Sequence, residues 1–479
     1  MKQEYIILAI VLIAGLFVRI YPTLSFATPL KYDTYYHARV ASLMETQGPL
    51  ITQEPWPEGG RPHFYPPLYH LLLILGSFLT FNTVLNASRF ILPFFAALIP
   101  LTGFWFVREL KGDYAALIAA FLLAFNSFFL DASYDSPELF GLLLLPFIAY
   151  FLLKEKYLQA GLALAISFMF SIFFGVYASA AFLIFLIYEG KFKKVHHKLF
   201  GPSAIFLVLW YLPRLGDLGH LDVAIGSTFI SKSLGAWALT YTPVIIAALL
   251  ILFILMKYLP KIRYKADRYD TLWTIWTIFF TGMFLTFLVT PVAYPWRMPL
   301  YISMGFTFLI ANMLANVKYK SKNVLKVAAV LILVVFTAVP AAIFIGSGNL
   351  RPALDQNEYQ MMQWMNATID NNSLILSDSV FCSNIITLTG KKCALDINFE
   401  SIPDKNRWID YTNFFESPQD AVSAGLFLEK YSKLNYVVYA NKYGNRNAMD
   451  VVADRIYSSW ECDSRTSTCF NSTVAYKTH

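Results

Sequence analysis

The chain alternates long apolar runs with short polar connections. Runs near residues 4–22, 88–108, 113–130, 138–153, 157–174, 176–190, 199–213, 236–257, 271–290, 298–317 and 326–346 predict eleven membrane-spanning helices. Basic residues gather in "RELKGD" (108–113), "KEK" (154–156), "KFKKVHHK" (191–198), "KYLPKIRYKADR" (257–268) and "KYKSKNVLK" (318–326). These clusters occupy every second connection, as the cytoplasmic side of a multispanning protein requires. That alternation decides the apolar run "YPPLYHLLLILGSFLTF" at 65–81. If it crossed, every later basic cluster would face outward. We therefore expect an interfacial or re-entrant helix on the outer surface, beginning at Pro66 and Pro67. The alternative is a twelfth span with an exported basic loop.

The same registration makes residues 23–87 a long first external loop and "DASYDSPELF" (131–140) a second external turn, with others at 213–233 and 290–299. From about residue 351 the pattern turns polar. "NEYQMMQWMNATIDNNSLILSDSVFCSNIITLTGKKCALDINFES" predicts an amphipathic helix followed by short strands, and "SPQDAVSAGLFLEKYSKLNYVVYANK" a helix and then the strand "NYVVYA". The expected architecture is a mostly α, polytopic membrane domain over 1–350 and an extracytoplasmic α/β domain over 351–479. No internal repeat is visible.

Composition agrees: 57% of residues are hydrophobic and only 14% charged, against about 25% charged in an average globular protein. The net charge of +7 resides in the topology-setting clusters and does not indicate a nucleic-acid partner. "YIILAIVLIAGLFVRIYP" (5–22) has no small-residue cleavage site after it and reads as a retained first span. All four cysteines fall in the last 100 residues, and their local pairing, Cys382 with Cys393 and Cys462 with Cys469, reads as two disulfides outside the cytoplasm. Three of four N-x-S/T tripeptides, at Asn366, Asn371 and Asn471 but not Asn86, share that region. The expected location is the plasma membrane, with multiple passes.

Carboxylates at a membrane boundary are costly unless solvated, paired or bound to a cation. Asp33 follows the first span, and Asp131, Asp135 and Glu138 lie at the second external turn, all on one face. Two or three such groups can converge on a hard divalent cation, Mn2+ or Mg2+. Alternatively Asp131 and Asp135 cap the helix at 138–153. His37 and Arg39 follow Asp33 closely, and Asp33 with His37 has the spacing of a simple helical pair. His63, Tyr65 and His70 could line a polar cleft, or the tyrosines could anchor the helix among lipid headgroups. Arg297, at the outer end of an apolar span, can receive a phosphate as a bidentate fork or snorkel to headgroups. Asp217, His220, Asp222 and Lys232 share a glycine-containing loop. No Walker loop, GxGxxG, HExxH or GxSxG with suitable flanks is present, and the scarcity of charge within spans argues against an ion-coupled transporter.

The order of these features resembles the GT-C membrane glycosyltransferases, which take a sugar from a polyprenyl-phosphate carrier on the external face. "YDTYYHARVASLMETQGPL" is similar to the first acidic motif of archaeal oligosaccharyltransferase catalytic subunits, and "RELKGDYAALIAAFLLAFNSFFLDASYDSPELFGLLLLP" to the second with its flanking helices. By that resemblance Asp33 and Asp135 are metal ligands, with Glu138 near the second acidic position. "YPWRMPLYISMGFTFLIANML" looks like the late span that opens with an arginine, which puts Arg297 at the carrier phosphate, with His37 and Arg39 in support. Two spans of the usual thirteen are missing. The family's WWDYG motif is also absent: "LILSDSVFCSNIITLTGKKCALD", with Ser377 and Asp378, stands in its place. No acidic TIxE-like element is recognisable in "LGHLDVAIGSTF", and the second acidic motif reads D-S-P-E.

The resemblance implies an inverting transfer of a sugar or oligosaccharide from a polyprenyl or dolichyl (pyro)phosphate to a protein or glycan acceptor. Catalytic positions would be Asp33, Asp135 and Glu138, and acceptor or lid positions Asp217, His220, Asp222 and Asp378. The closest alternative uses a monosaccharide phosphoryl-polyprenol, with Asp33 as a base and no metal. A different class of reading is a non-catalytic anchor displaying an external binding domain.

Overall fold

The computed structural model describes residues 3–26, 28–55, 60–134, 136–214, 267–287, 297–316, 354–395, 405–416, 420–439, 449, 453–463 and 468–478. Within them the apolar runs are helical. In α1 (Gln3–Ser25), Ile6, Ile10, Ile13 and Phe17 are exposed, whereas Leu8, Val11, Gly15 and Arg19 are buried. The exposed apolar stripe suits lipid, and the other face packs in the bundle. α4 (Val84–Ala96) and α5 (Ile99–Lys111) form one apolar stretch of 28 residues, opened by Thr83, whose side chain accepts from the Asn86 amide.

Polar caps move some boundaries. The run expected as one helix over 113–130 is split into α6 (Asp113–Phe125) and α7 (Ser127–Ala132), because the Asn126 side chain accepts from Phe128 and Phe129 N–H and starts a new helix. After α8 (Glu138–Leu153), α9 (Tyr157–Phe170) and α10 (Ile172–Tyr188) meet at Ser171, four residues before the expected break at 175. Extended backbone at Ser171, with its hydroxyl accepting from Phe174 N–H, caps α10. α11 (Phe192–Tyr211) absorbs most of the basic cluster that the sequence suggested as a connection. α12 (Arg268–Phe287) and α13 (Met298–Asn316) complete the described bundle. The runs at 236–257 and 326–346 lie outside the described residues. So does the expected domain boundary near 350.

Ion pairs bring the basic connections together: Lys111 with Asp267 at 2.6 Å, Lys191 with Glu155 at 2.6 Å, and Arg268 with both Glu155, at 3.2 Å, and Glu189. They share one end of the bundle, as the alternation requires. α2 (Asp33–Gln47) and α3 (Leu68–Thr80) lie at the other end. His70 in the first turn of α3 contacts His37 of α2, and Arg89, in the second turn of α4, donates to the Thr23 carbonyl at the end of α1 (2.8 Å) and to that of Phe26. Helix α3 therefore begins beside α2. Its 13 residues rise only about 20 Å.

Beyond residue 353, α14 (Gln356–Thr368) begins with a capping box between Asp355 and Glu358. A five-stranded sheet follows, in the order β4-β3-β5-β7-β6. It contains β3 (Leu374–Leu376), β4 (Lys392–Cys393), β5 (Tyr436–Tyr439), β6 (Asp454–Asp463) and β7 (Thr468–Lys477). Strand β3 is parallel to β4 and β5, while β7 is antiparallel to β5 and β6. The expected run of short strands is interrupted by α15 (Ser379–Thr389). Asp378 accepts from Phe381 N–H there, and buried Phe381, Cys382, Ile385 and Ile386 recur at helical spacing. A disulfide joins Cys382 to Cys393. Cys462 and Cys469 face each other in the β6–β7 register; their side chains lie outside the described residues. α16 (Lys405–Glu416) and α17 (Ala421–Lys430) precede β5, the helix-then-strand order expected.

Candidate active site

Helix α2 looks polar in sequence, yet every residue from Thr34 to Ala41 is buried. Its faces enter three apolar clusters. Ala38 and Ala41 join the membrane bundle, Tyr36, Val40, Leu43 and Met44 join a small cluster with Ile51, and Tyr35 joins the core of the C-terminal sheet. Thr387 of α15 donates to the Tyr35 carbonyl at 3.2 Å. This confinement fixes the direction of the polar groups that α2 carries.

Asp33 opens α2. Burial pushes its carboxyl up from the ordinary carboxylate range, opposed by the charges of Arg297 and Lys31. Lys31 pairs with Asp131 at 2.6 Å, and Thr34 donates to the Tyr134 carbonyl at 2.7 Å, so the start of α2 is tied to the second acidic turn. That turn is held in its own right by Arg19, a fully buried cation in α1. Its guanidinium donates to the carbonyls of Ala124 (2.7 Å), Gly15 (2.9 Å) and Leu123 (3.3 Å), satisfying the C-terminal end of α6. The Tyr134 hydroxyl donates to the Arg19 carbonyl at 3.1 Å. A charge inside an apolar span was the signal for Arg19, and the sequence reading passed it over.

Glu138, the first residue of α8, is fully buried. It accepts from Arg297 Nη1 and from the hydroxyls of Ser136 and Ser171, the last at 3.1 Å. Three distant parts of the chain thus meet: the start of α2, the start of α8, and Arg297 just before α13. His37 lies one turn along from Asp33 but does not pair with it. Its Nδ1 lies 3.1 Å from His70 Nε2, and the rings of Tyr65, Tyr69 and Tyr36 stand 4.8, 4.9 and 5.1 Å away. Burial, reinforced by the Arg297 charge, pushes its imidazole down to about 3, so it is neutral at physiological pH. Tyr69 is wholly buried in this ring cluster, which corrects its alternative reading as a headgroup anchor.

A second polar cluster sits beside the first. β1 (Gln53–Glu54) and β2 (Arg61–Pro62) form a short antiparallel hairpin. Across it Arg61 grips Glu54 Oε2 through Nε at 2.9 Å and Nη2 at 2.7 Å. His63 Nδ1 and the Tyr36 hydroxyl reach Oε1 at 2.7 and 2.9 Å. Arg214, at the end of α11, donates to the carbonyls of His63 (2.8 Å) and Ile51 (2.7 Å). Arg39 belongs here, 5.5 Å over the Tyr36 ring and acting on Glu54. Packing thus turns it toward the hairpin. The sequence analysis missed Glu54 and Arg61; the Pro- and Gly-containing stretch between them was the available hairpin signal.

Residues 4–209 match the family model described as oligosaccharyl transferase STT3, N-terminal. The oligosaccharyltransferase of Archaeoglobus fulgidus, tethered with an acceptor peptide containing the NVT sequon, superposes with a TM-score of 0.63 at 14% identity, over 98% of this chain and 74% of that one. ArnT from Cupriavidus metallidurans in the apo state gives 0.62 at 10% identity, over 99% and 97%. The mycobacterial arabinofuranosyltransferase AftD gives 0.61 at 13%, over 100% and 40%. The chain has the GT-C glycosyltransferase fold. By sequence, no curated protein matches it at a significant level.

The GT-C likeness sharpens the question of a divalent ion. Among the described residues no group of three or more His, Cys, Asp or Glu is placed to hold one. Asp33 fits as a hard oxygen donor. Glu138 does not fit in this arrangement, because Arg297, Ser136 and Ser171 already use its oxygens. Asp135 lies outside the described residues, as do Asp217, His220, Asp222 and Lys232. The donors in view are too few for a hard cation, and no step below is routed through one. Asp131 is the partner of Lys31 and not the cap of α8, whose N-cap position is Pro137. Asp378, expected near an acceptor, caps α15, and its charge reaches Tyr32.

Proposed function

We propose that this protein is a membrane glycosyltransferase that moves a sugar or oligosaccharide from a polyprenyl or dolichyl (pyro)phosphate to a protein or glycan acceptor. The carrying observation is the pairing of Arg297 with buried Glu138, and the reach of its charge to partly buried Asp33. A cation held at the end of an apolar helix beside two desolvated carboxylates suits the departure of a lipid phosphate. Arg297 would leave Glu138 for the phosphate, exchanging a single carboxylate oxygen for an acceptor that can take its fork bidentately. The anomeric C–O bond to phosphate then breaks as the acceptor oxygen or nitrogen bonds to that carbon with inversion. The proton lost by the acceptor passes to Asp33, whose raised proton affinity suits a general base. The ring wall around His37 excludes water from the same end.

The A. fulgidus enzyme has also been solved with Zn and sulfate, and with dolichol-phosphate and an inhibitory peptide. ArnT has been solved with undecaprenyl phosphate. The chain spans nearly all of ArnT but three quarters of the oligosaccharyltransferase, which favours, as a second reading, transfer of a monosaccharide from a phosphoryl-polyprenol. Activity that persists in EDTA would support that reading; loss restored by Mn2+ or Mg2+ would support an ion held by Asp33 and Asp135. We assign residues 1–350 to a multi-pass domain in the plasma membrane and 351–479 to an extracytoplasmic domain, supported by the Cys382–Cys393 bridge. The test is transfer from a labelled lipid-linked donor by the full chain in nanodiscs. Wild-type rates in both Asp33→Asn and Arg297→Gln would overturn the enzyme reading and leave a membrane anchor.

A further inference from the structure

Helix α11 turns one apolar face outward. Ile205, Val208, Leu209 and Leu212 are 58–69% exposed, while Val195, Leu199, Ser203 and Trp210 are buried against the bundle. At 3.6 residues per turn, Leu212, Lys198 and Lys194 all lie within about 20° of Ile205 around the helix axis. Both lysines are exposed, and exposed Lys193 and His197 flank them. The stripe that suits acyl chains therefore runs straight into two cations, with Lys198 about 10 Å along the axis from Ile205. Gly201 sits between them near the same line, and a Cβ there would meet nothing from the rest of the fold within 4 Å. The outer face is open where the apolar stripe gives way to charge.

The helix itself does not favour these cations. Lys193 and Lys194 stand in its first turn, where the dipole is positive and no side chain caps the free amides. Lys194 and Lys198 are four residues apart, a spacing at which like charges repel. No acid answers them either. At this end of the bundle Glu155 pairs with Lys191 and Arg268, Glu189 with Arg268, and Asp267 with Lys111. Among the described residues Lys193, Lys194 and Lys198 have no ion pair.

We propose that Lys194 and Lys198, beside the opening at Gly201, form a binding site for the phosphate of an anionic phospholipid whose acyl chains lie along Ile205, Leu209 and Leu212. One headgroup between the two ammonium groups offsets their repulsion and the positive helix end together. An acidic protein surface could meet the same cations, but it gains nothing from an apolar stripe in line with them. The inference uses the membrane bundle alone and does not depend on the transfer reaction.

The test is a lipid titration of the full-length protein in detergent, read by native mass spectrometry, with phosphatidylglycerol and, in parallel, phosphatidylcholine. Phosphatidylglycerol should bind the wild type more tightly than phosphatidylcholine and raise its melting temperature. A lysine beside an anionic surface contributes about fivefold, so the double variant Lys194→Gln, Lys198→Gln should bind about 25-fold more weakly and lose the melting shift. Removing two exposed charges elsewhere at the same end, in the double variant Lys154→Gln, Lys156→Gln, should leave the titration as in wild type. Glycerol phosphate, which has the phosphate without the chains, should not compete. If the Lys194, Lys198 double variant does not fold, each single variant should show about a fivefold loss. Unchanged binding in the Lys194 and Lys198 variants, or an equal loss in the Lys154, Lys156 variant, overturns the proposal. Competition by glycerol phosphate as strong as by the lipid overturns it in favour of a soluble phosphate.

Discussion

Two carboxylates near α2, fully buried Glu54 and partly buried Asp33, are treated in opposite ways. Glu54 has a partner for each oxygen: Arg61 on one, His63 and Tyr36 on the other. Burial alone would raise its proton affinity, but Arg61 and His63 outweigh it and hold the carboxyl below its ordinary range. Asp33 is only partly enclosed, yet its proton affinity is raised, with Arg297 and Lys31 only partly offsetting desolvation. The difference is whether the cation is tied to one carboxylate. Arg61 is locked across a hairpin, whereas Arg297 is shared with Glu138. One cluster ties a hairpin together, and the other leaves its cation between two carboxylates.

The largest expected effect tests the locked side. Glu54→Gln leaves the Arg61 guanidinium buried without its counter-charge, and breaking such a pair costs about 3–5 kcal/mol. The melting temperature in detergent should drop strongly, and whatever protein stays folded should keep its turnover per molecule. Equal loss of turnover in the folded fraction would mean the hairpin takes part in chemistry. Arg297→Gln should do the reverse. The expected loss is about 100–1000-fold in turnover, the scale seen when one transition-state donor is removed, with the melting temperature changed less than in Glu54→Gln. A melting loss as large as that of Glu54→Gln would make Arg297 structural.

Lowering the pH separates the groups further. His37 is pushed to about 3 from 6.5, so the unfolded chain binds its proton more readily. Its contribution to stability is complete above about 6.5 and is lost as pH falls toward 3. Glu54, held below the ordinary carboxylate value, contributes fully above about 4.3 and loses that contribution at lower pH. Both have the same sign, so melting temperature should decline from pH 7 downward, first through His37 and then through Glu54. Buried His70 is pushed down in the same direction, so His37→Gln should lessen the slope between about 6.5 and 4.5 and leave the share of His70; an unaltered slope there would contradict the burial of a neutral imidazole at position 37.

The bundle was legible because period and charge alternation are local signals. Boundaries were less so: Asn126 and Ser171 break helices through a single side chain inside an apolar run. Asp33, Glu138 and Arg297 were named from sequence because charge is rare at a membrane edge. Their mutual contact was not readable, since Arg297 could equally have faced headgroups. The neighbours of Arg39 and His37 were hidden for a different reason: from Thr34 to Ala41 α2 has no exposed face, so helical spacing carries no information about which neighbour each side chain meets. Small residues tell a similar story. A Cβ at Gly161 would come within 2.3 Å of the Lys198 carbonyl oxygen, a helix-to-helix contact with α11 that only the folded bundle reveals. Gly161→Ala should cost about 1–3 kcal/mol by overpacking, read as a lower melting temperature, and no change would mean that α9 and α11 can move apart freely.

The smallest effect calibrates the rest. Lys31 and Asp131 make a short contact of 2.6 Å, but their side chains are 27% and 34% exposed. A pair open to solvent is worth about 0–1 kcal/mol, because water competes for both ions and two flexible side chains must be held still. Lys31→Met should therefore shift the melting temperature far less than Glu54→Gln, although both remove one member of a salt bridge near α2. The Thr34 bond to the Tyr134 carbonyl still ties the start of α2 to the same turn in that variant. A loss of stability approaching that of Glu54→Gln would show that Lys31 is locked to its partner as firmly as Arg61 is, and that the boundary between a locked and a free centre lies elsewhere than between Glu54 and Asp33.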